Sequence, residues 1–404
     1  MASETYTYNL NELNGKDIKD LVENDNDEII DSLKLIHKLW RYNDKTYKII
    51  KYDKDFLLFD MIKTSGLFRS VIHRNGKILA FSPPKSYKSC EFKQKYAPQD
   101  CVAEEYVEGT MINVFNDNDE WVISTRSCVG ANITYFTSGK VSEKDTFKYM
   151  FMEACKNANF DFNCLSKGYS YSFVLQHPRN RIVTPFFETA IYLVAVYKID
   201  NYKITEMPRE MFRDILPESI RFPEQYEFES YSQLCDKWAS QNTDYKRVGV
   251  VVRHKDNGER TKFRNPNYEF VRQLRGNQPK LQYTYIALRQ LGKVKEYLKY
   301  YPEVKKEFNL FREQIHSFTE QLHKNYIMCY INKSKPLIEY PFQFRSHMFM
   351  LHSQYLNTLR EKKEFINKSF VMKYINELPP AKLMFSLNYC MRQQQRDETI
   401  VKNK

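Results

Sequence analysis

The hydrophobic pattern of this chain changes period near Pro279, and that change limits the folds open to it. Before Pro279, short runs rich in β-branched and aromatic residues alternate with turn signals, as in a strand-rich domain. The Asn75-Gly76 pair between two of these runs is typical of a tight hairpin and favours antiparallel pairing. The predicted strands are Tyr47–Tyr52, Leu67–His73, Lys77–Phe81, Thr110–Phe115, Glu120–Thr125, Tyr169–Gln176, Thr189–Tyr197, Lys246–Arg253 and Glu259–Arg264. The pattern predicts an α+β fold built on antiparallel sheets.

After Pro279 the apolar residues recur at helical spacing. Steps of three and four residues place one set on a single face of a long helix: Val304, Phe308, Phe311, Ile315, Phe318 and Leu322. Further helices are predicted at 281–300, 344–360 and 367–378. Near the N-terminus, a helix is predicted to include Ile29, Ile30, Leu33, Leu35, Ile36 and Leu39. The predicted domains are an N-terminal helical segment (1–45), a strand-rich domain (46–278) and a helical C-terminal domain (279–404).

Positive charge is concentrated in the C-terminal third of the chain. The whole chain has a net charge of +12, and residues 262–404 hold 26 Lys and Arg against 12 Asp and Glu. Basic residues interleaved with aromatic ones are typical of polyanion binding, because neutralised phosphates release counterions. A solvated helical surface would also be basic, so charge alone leaves both interpretations open. Candidate RNA contacts are Arg272, Arg275 and Lys280, in a stretch (271–280) whose Gly and Pro predict a loop.

Composition disfavours several classes of protein. No apolar run approaches the roughly 18 residues of a membrane span, so no membrane association is expected. The N-terminal residues lack a signal or transit pattern, which predicts a cytoplasmic location. Eight dispersed cysteines without a CxxC pair predict reduced thiols. His316, Glu320 and His323 share a helical face, but without a fourth ligand a surface role is favoured and no metal site is predicted.

Five short segments between residues 68 and 264 occur in an order that is more informative than any one of them. In sequence they are Phe68–Ile72 with Gly76–Ser86, then Tyr106–Thr110 (YVEGT), Ser124–Ser127, Tyr171–Val183, and finally Val248–Val252 with Lys262–Arg264. In this order they resemble the RNA ligase branch of the covalent nucleotidyltransferases, particularly the phage RNA-repair ligase type. The resemblance covers about half of the chain. A core of this kind with a helical C-terminal extension is also similar to proteins of large DNA viruses.

The resemblance implies an antiparallel-sheet, RNA-ligase-like nucleotidyltransferase domain followed by the helical domain. It implies that Arg69 and Lys85 hold the outer phosphates of ATP, a role that suits long cationic side chains. Arg126 would contact the nucleotide sugar and phosphates, and Lys262 and Arg264 would contact the α-phosphate. The nucleotide-binding set implied by the resemblance is Arg69, Lys85, Glu108, Gly109, Arg126, Lys262 and Arg264.

Three positions depart from the family pattern, and all three concern adenylyl transfer. The family has a lysine whose amine attacks the α-phosphate of ATP and becomes adenylylated, and this chain has Tyr106 in its place. A glutamate that binds ribose is replaced by Val174 or Gln176, depending on register, and a glutamate for the metal by Val248. The basic phosphate-contact positions persist, which favours binding without catalysis.

The sequence therefore predicts an RNA-ligase-like pseudoenzyme that binds RNA ends or nucleotide without adenylyl transfer. Two alternatives stay open: an active ATP-dependent RNA ligase that uses Lys85 or Lys88 as its nucleophile, and a structural or scaffolding protein. The residues themselves require no cofactor, and the resemblance implies ATP or another nucleotide with Mg²⁺. The expected partners are RNA and, through the helical domain, other proteins.

Overall fold

The protein contains two compact units, one rich in strands and one helical. The computed structural model describes residues 5–11, 13, 18–24, 27–135 and 142–402, with side chains up to residue 397. The first unit ends at Gln273 and the second begins at Leu274. Helices and antiparallel sheets are both present and the C-terminal region is helical, so the predicted α+β class is confirmed. Among the described helices, none has the length and apolar character that crossing a membrane requires.

Three antiparallel sheets build the first unit. Its strands are β1 (Tyr6–Asn9), β2 (Leu35–Tyr42), β3 (Lys45–Tyr52), β4 (Val71–Arg74), β5 (Lys77–Phe81), β6 (Cys101–Glu105), β7 (Thr110–Asp117), β8 (Glu120–Thr125), β9 (Cys128–Val129), β10 (Tyr169–Gln176), β11 (Ala190–Asp200), β12 (Lys203–Met207), β13 (Gln225–Tyr226), β14 (Gly249–His254) and β15 (Arg260–Arg264). A seven-stranded sheet has the order β1-β12-β11-β10-β7-β8-β9. The two four-stranded sheets have the orders β13-β6-β14-β15 and β2-β3-β4-β5.

Turn chemistry and helix packing position these sheets. Asn75 and Gly76 join β4 to β5 with φ angles of 50° and 72°, the signs that a type I′ turn requires, so the predicted hairpin is confirmed. The helices of the first unit are α1 (Ile18–Asn24), α2 (Asp27–Ser32), α3 (Ser89–Lys95), α4 (Phe147–Asn157), α5 (Tyr231–Trp238) and α6 (Pro266–Arg275), the last of which crosses the unit boundary. α3 and α5 contribute Phe92 and Leu234 to the buried core of the β13-β6-β14-β15 sheet. That core holds the strands from which the candidate site is built.

The second unit consists of helices. They are α7 (Leu281–Gln290), α8 (Val294–Tyr300), α9 (Lys305–Tyr326), α10 (Phe342–Gln354), α11 (Lys368–Glu377), α12 (Pro380–Leu387) and α13 (Tyr389–Lys402). The predicted apolar face of α9 is buried at Phe308, Ile315, Phe318 and Leu322. The helix predicted at 281–300 is divided into α7 and α8 at Gly292, whose φ of 68° ends the first of them.

The prediction of a single helix that includes both Ile29 and Leu39 is wrong. α2 ends at Ser32, and the residues from Leu35 to Tyr42 form β2 instead. β2 pairs with β3 along its whole length, from Leu35 opposite Tyr52 to Tyr42 opposite Lys45. This long-range pairing overrides the local helical spacing of the apolar residues.

The loop predicted at 271–280 is wrong in its first half. Residues up to Arg275 belong to α6, and the chain leaves the helix only at Gly276. Tyr268, Val271 and Leu274 are buried at intervals of three residues along α6. Burial of this face outweighs the Gly and Pro that follow it, because tertiary packing stabilises the helix more than local propensity does.

Candidate functional site

Tyr106 and Lys262 meet at the centre of the candidate site. Tyr106 directly follows β6, and its backbone N–H donates to the carbonyl of Gly249 on β14 at 3.3 Å. Lys262 lies on β15, the strand on the far side of β14. Its Nζ donates to the Oη of Tyr106 at 3.0 Å and lies 4.4 Å from the centroid of the ring. The phenol of Tyr106 is therefore held by a lysine from another strand.

Strand β15 and the loops after β5 and β8 bring further cations to this point. Arg126, just after β8, donates from Nε to the carbonyl of Arg69 at 3.1 Å. Arg260, two residues before Lys262 on β15, donates from Nη2 to the carbonyl of Pro84 at 2.6 Å. Pro84 directly precedes Lys85, whose backbone N–H donates to the carbonyl of Gly66 at 2.9 Å. These backbone contacts fix the positions from which the cationic side chains extend.

These five cations and Arg264 on β15 form one electrostatic group, which we call the cationic cluster. Its members are Arg69, Lys85, Arg126, Arg260, Lys262 and Arg264. Burial lowers the pKa of the Lys262 ammonium well below its usual range, and the charges of the neighbouring arginines lower it further. Burial also lowers the pKa values of Lys85 and Arg69, and neighbouring cations, among them Arg126 for both, lower them further. The charges are close enough to repel one another.

Carboxylates do not offset most of this repulsion. Arg264 pairs with Glu269 at 2.8 Å, and in the described part of the chain it is the one cluster member with a carboxylate partner. A guanidinium or ammonium group without a counterion favours an anionic ligand, above all a phosphate that accepts several hydrogen bonds. The arrangement is suited to binding a group with several negative charges.

Glu108 and Gly109 shape the loop between β6 and β7. The buried carboxylate of Glu108 accepts the backbone N–H groups of Val183 at 2.6 Å and Thr184 at 3.1 Å. Burial raises the pKa of Glu108, and these amide donors act in the opposite direction. Gly109 has a φ of 147°, and a Cβ there would lie 2.4 Å from the carbonyl oxygen of Leu175. The loop that presents Tyr106 is therefore tightly held.

The residues that stand where the sequence resemblance implied glutamates are apolar or already hydrogen-bonded. Val174 and Val248 are both buried. The side-chain amide of Gln176 donates to the carbonyl of Glu108 at 3.0 Å, so it helps to hold the loop. In the parts of the chain that the structure describes, no group of three His, Cys, Asp or Glu side chains could hold a metal ion.

The structure brings some predicted residues together and leaves others apart. Arg69, Lys85, Arg126, Lys262 and Arg264 all belong to the cationic cluster, and Lys262 and Arg264 lie 4.4 and 5.9 Å from the ring centroid of Tyr106. Lys88, the alternative nucleophile, is exposed just before α3. Arg272 pairs with Glu269 at 2.6 Å. The other two predicted RNA contacts lie in the second unit, where Arg275 packs 5.2 Å from the ring centroid of Tyr301 and Lys280 precedes α7.

Sequence reasoning missed Arg260 as a member of the cluster. Arg260, Lys262 and Arg264 alternate along β15, and in a strand residues two apart share a face. This alternation was the available signal. It identifies three cations on one strand without any reference to a known family.

Comparisons with known proteins give solved ligases at low identity. No protein-family model and no curated protein matches the sequence. A putative ATP-dependent DNA ligase from Aquifex aeolicus is 14% identical, with 74% of this chain and 80% of that chain covered and a TM-score of 0.40. An apo mutant of a Naegleria gruberi RNA ligase is 11% identical, with 46% and 56% covered and a TM-score of 0.35.

A second mutant of the Naegleria gruberi RNA ligase, solved with ATP and Mn, is also 11% identical. Here 61% of this chain and 82% of that chain are covered, with a TM-score of 0.36. In the apo comparison, this chain spans little more than half the length of the ligase that it matches. Likenesses at this level assign no role to any residue, so the roles of the site residues rest on the geometry of the cationic cluster.

Proposed function

We propose that this protein is an RNA-ligase-like nucleotidyltransferase homologue that binds the phosphates of a nucleotide or of an RNA end in the cationic cluster. The observation that carries the proposal is the grouping of six cations, of which, among the residues that the structure describes, Arg264 alone has a carboxylate partner, Glu269. Arginine forks match phosphate oxygens in geometry, and lysine adds a mobile point charge. An anionic ligand would relieve the repulsion that lowers the pKa of Lys262.

Binding without adenylyl transfer through Tyr106 is the second part of the proposal. Covalent transfer in the family needs an amine at this position, and Tyr106 supplies a phenol whose oxygen already accepts a hydrogen bond from Lys262. Buried valines at 174 and 248 supply no carboxylate for ribose or for a metal ion. We therefore propose a pseudoenzyme, in which the pocket retains phosphate binding and has lost the groups for transfer.

We also propose the partner, ligand and location that the sequence predicts. The partner is RNA, the ligand is ATP or another nucleotide with Mg²⁺, and the protein is a viral protein of the cytoplasm. The prediction of reduced thiols for the eight cysteines belongs to the same setting. Protein partners of the helical unit remain a further expectation.

A labelling and binding experiment tests both parts. The protein is incubated with α-labelled ATP or GTP and a divalent metal, and both retained and covalently bound label are measured. We expect reversible binding and no acid-labile adduct. A robust adduct would overturn the pseudoenzyme proposal, and Lys85→Ala and Lys88→Ala variants would test the two alternative nucleophiles. A scaffolding protein would retain neither nucleotide nor RNA at moderate salt.

A further inference from the structure

A loop beside the cationic cluster exposes three large apolar side chains. Between β3 and β4, Phe56 is 58% exposed, Leu58 64% and Phe59 48%. We call these three residues the apolar loop. The segment is anchored, because Leu57 packs against one buried core and Ile62 belongs to another. Three exposed apolar side chains within four residues of an anchored segment are typical of a binding surface.

Backbone and ring contacts place the apolar loop next to the cluster. The ring of Phe59 lies 5.8 Å from that of Tyr87, and Tyr87 forms a bridge with Thr261, the neighbour of Lys262 on β15. Further along the same segment, the N–H of Gly66 donates to the carbonyl of Met61 at 2.8 Å. The carbonyl of Gly66 in turn accepts the N–H of Lys85. One side of the apolar loop therefore borders the strands and the turn that carry the cations.

We infer that the apolar loop binds the bases of a single-stranded nucleic acid whose 5′ phosphate lies in the cationic cluster. The inference rests on the proposed function and extends it from a phosphate to a strand. Bases present apolar faces that stack on aromatic and aliphatic side chains, whereas the backbone needs cations. The two surfaces lie side by side, so the cluster can bind the 5′ phosphate of a strand while the apolar loop contacts its bases.

The charged residues of the segment divide by position. Lys54 acts on Lys85, a member of the cationic cluster, and Lys63 pairs with Glu259 at 2.9 Å, whereas the two residues next to the exposed side chains are acidic. Asp55 and Asp60 flank the exposed side chains, and both are exposed themselves. Their carboxylates repel phosphate groups, so the backbone of a bound strand is expected to follow the cluster while the bases contact Phe56, Leu58 and Phe59. An acidic protein partner would meet the same repulsion without offering bases to stack.

Homo-oligomers of equal charge and different stacking test the inference. Binding of 5′-phosphorylated hexamers of adenylate and of uridylate to the full chain is measured by fluorescence anisotropy, as RNA and as the corresponding DNA (dA and dT). Adenine stacks more strongly, so we expect the adenylate hexamer to bind several-fold more tightly. Stacking of a single base contributes a factor of about five or more. The RNA and DNA arms show which strand is bound, and tighter adenylate binding in either arm supports the inference.

The triple variant Phe56→Ala/Leu58→Ala/Phe59→Ala is expected to lose the preference for adenylate while its affinity for inorganic tripolyphosphate stays unchanged. As a control, Met211→Ala removes a side chain that is 59% exposed elsewhere in the first unit. It should change neither the preference for adenylate nor the affinity for tripolyphosphate. Thermal unfolding checks that the variants fold. If the wild type shows no preference, or if the triple variant keeps it, the inference fails and the proposed function stands. If tripolyphosphate and the hexamers all fail to bind, both fail. A change of oligomeric state in the triple variant would instead assign the apolar loop to contact between copies of this chain.

Discussion

The Nζ of Lys262 lies 3.0 Å from the Oη of Tyr106, and among the described residues this is the hydrogen bond that ties the side chains of β15 to Tyr106. The contact crosses β14, which lies between the two segments. It places an ammonium group of lowered pKa at the centre of the cationic cluster. A bound anion would stabilise the ammonium form of Lys262, so the site is suited to a ligand that carries phosphate.

Removal of the Lys262 charge should weaken phosphate binding more than it weakens the fold. In Lys262→Met, we expect the affinity for ATP to fall about tenfold or more, because a hydrogen bond to a charged group contributes about 1.5–3 kcal/mol. The free energy of unfolding should stay the same or rise, since the substitution removes a repelled cation. Titration calorimetry and urea unfolding measure the two quantities. Lys77→Met makes the same change of charge at an exposed site on β5 and should alter neither.

The lowered pKa of Lys262 has a consequence for pH dependence. A bound phosphate raises that pKa, so binding takes up protons, and the affinity should fall as the pH rises through the pKa of the complex. The stability of the free protein should change with pH in the opposite direction. The folded state disfavours the ammonium form, so the protein should gain stability as the pH rises toward the usual lysine pKa of about 10.4. Calorimetry in buffers of different ionisation enthalpy should show proton uptake in the wild type and less of it in Lys262→Met.

Salt dependence should report the number of cluster cations that contact phosphate. For a 5′-phosphorylated single strand, the logarithm of affinity is expected to fall linearly with the logarithm of salt concentration. Arg126→Gln should reduce the slope by about 0.7 for the one phosphate contact that it removes. Anisotropy titrations at several salt concentrations measure this slope. An unchanged slope would place Arg126 outside the binding surface.

The loop that carries Tyr106 should tolerate no side chain at Gly109. In Gly109→Ala the new Cβ would meet the carbonyl oxygen of Leu175, at a φ of 147° that disfavours any other residue. We expect the free energy of unfolding to fall by about 1–3 kcal/mol from the backbone strain, and further because of the close contact with Leu175. Gly168→Ala is the matched control, since Gly168 also has a positive φ, of 83°, but open space around it. A loss in Gly109→Ala no larger than that in Gly168→Ala would contradict the packing described here.

Much of the strand architecture could be predicted because its signals are local. The Asn75-Gly76 turn and the alternating run that became β10 specify their structure through neighbouring residues. The segment from Leu35 to Tyr42 could not be predicted in this way, since its strand depends on pairing with β3. The helical end of α6 depends equally on the surfaces that bury Tyr268 and Val271.

The candidate site was predictable in its cations and not in its contacts. Motif order identified Arg69, Lys85 and Arg126, and the structure places them in one cluster, although their role in binding stays a prediction. Arg260 was missed although its alternation with Lys262 and Arg264 along β15 was a local signal, and only its contact with the distant turn at Pro84 required the structure. The engagement of Glu108 with the backbone at residues 183 and 184 likewise depends on a loop far away in sequence.

Phosphate binding by the cationic cluster is tested most directly by a comparison of two double variants. Titration calorimetry measures the affinity for ATP of the wild type, of Arg126→Met/Lys262→Met within the cluster, and of Lys77→Met/Lys203→Met. The last pair removes two exposed charges from other strands of the first unit. We expect wild-type affinity in Lys77→Met/Lys203→Met and a loss of at least about tenfold in Arg126→Met/Lys262→Met. Equal affinity in all three proteins, or no binding by the wild type, would contradict the account.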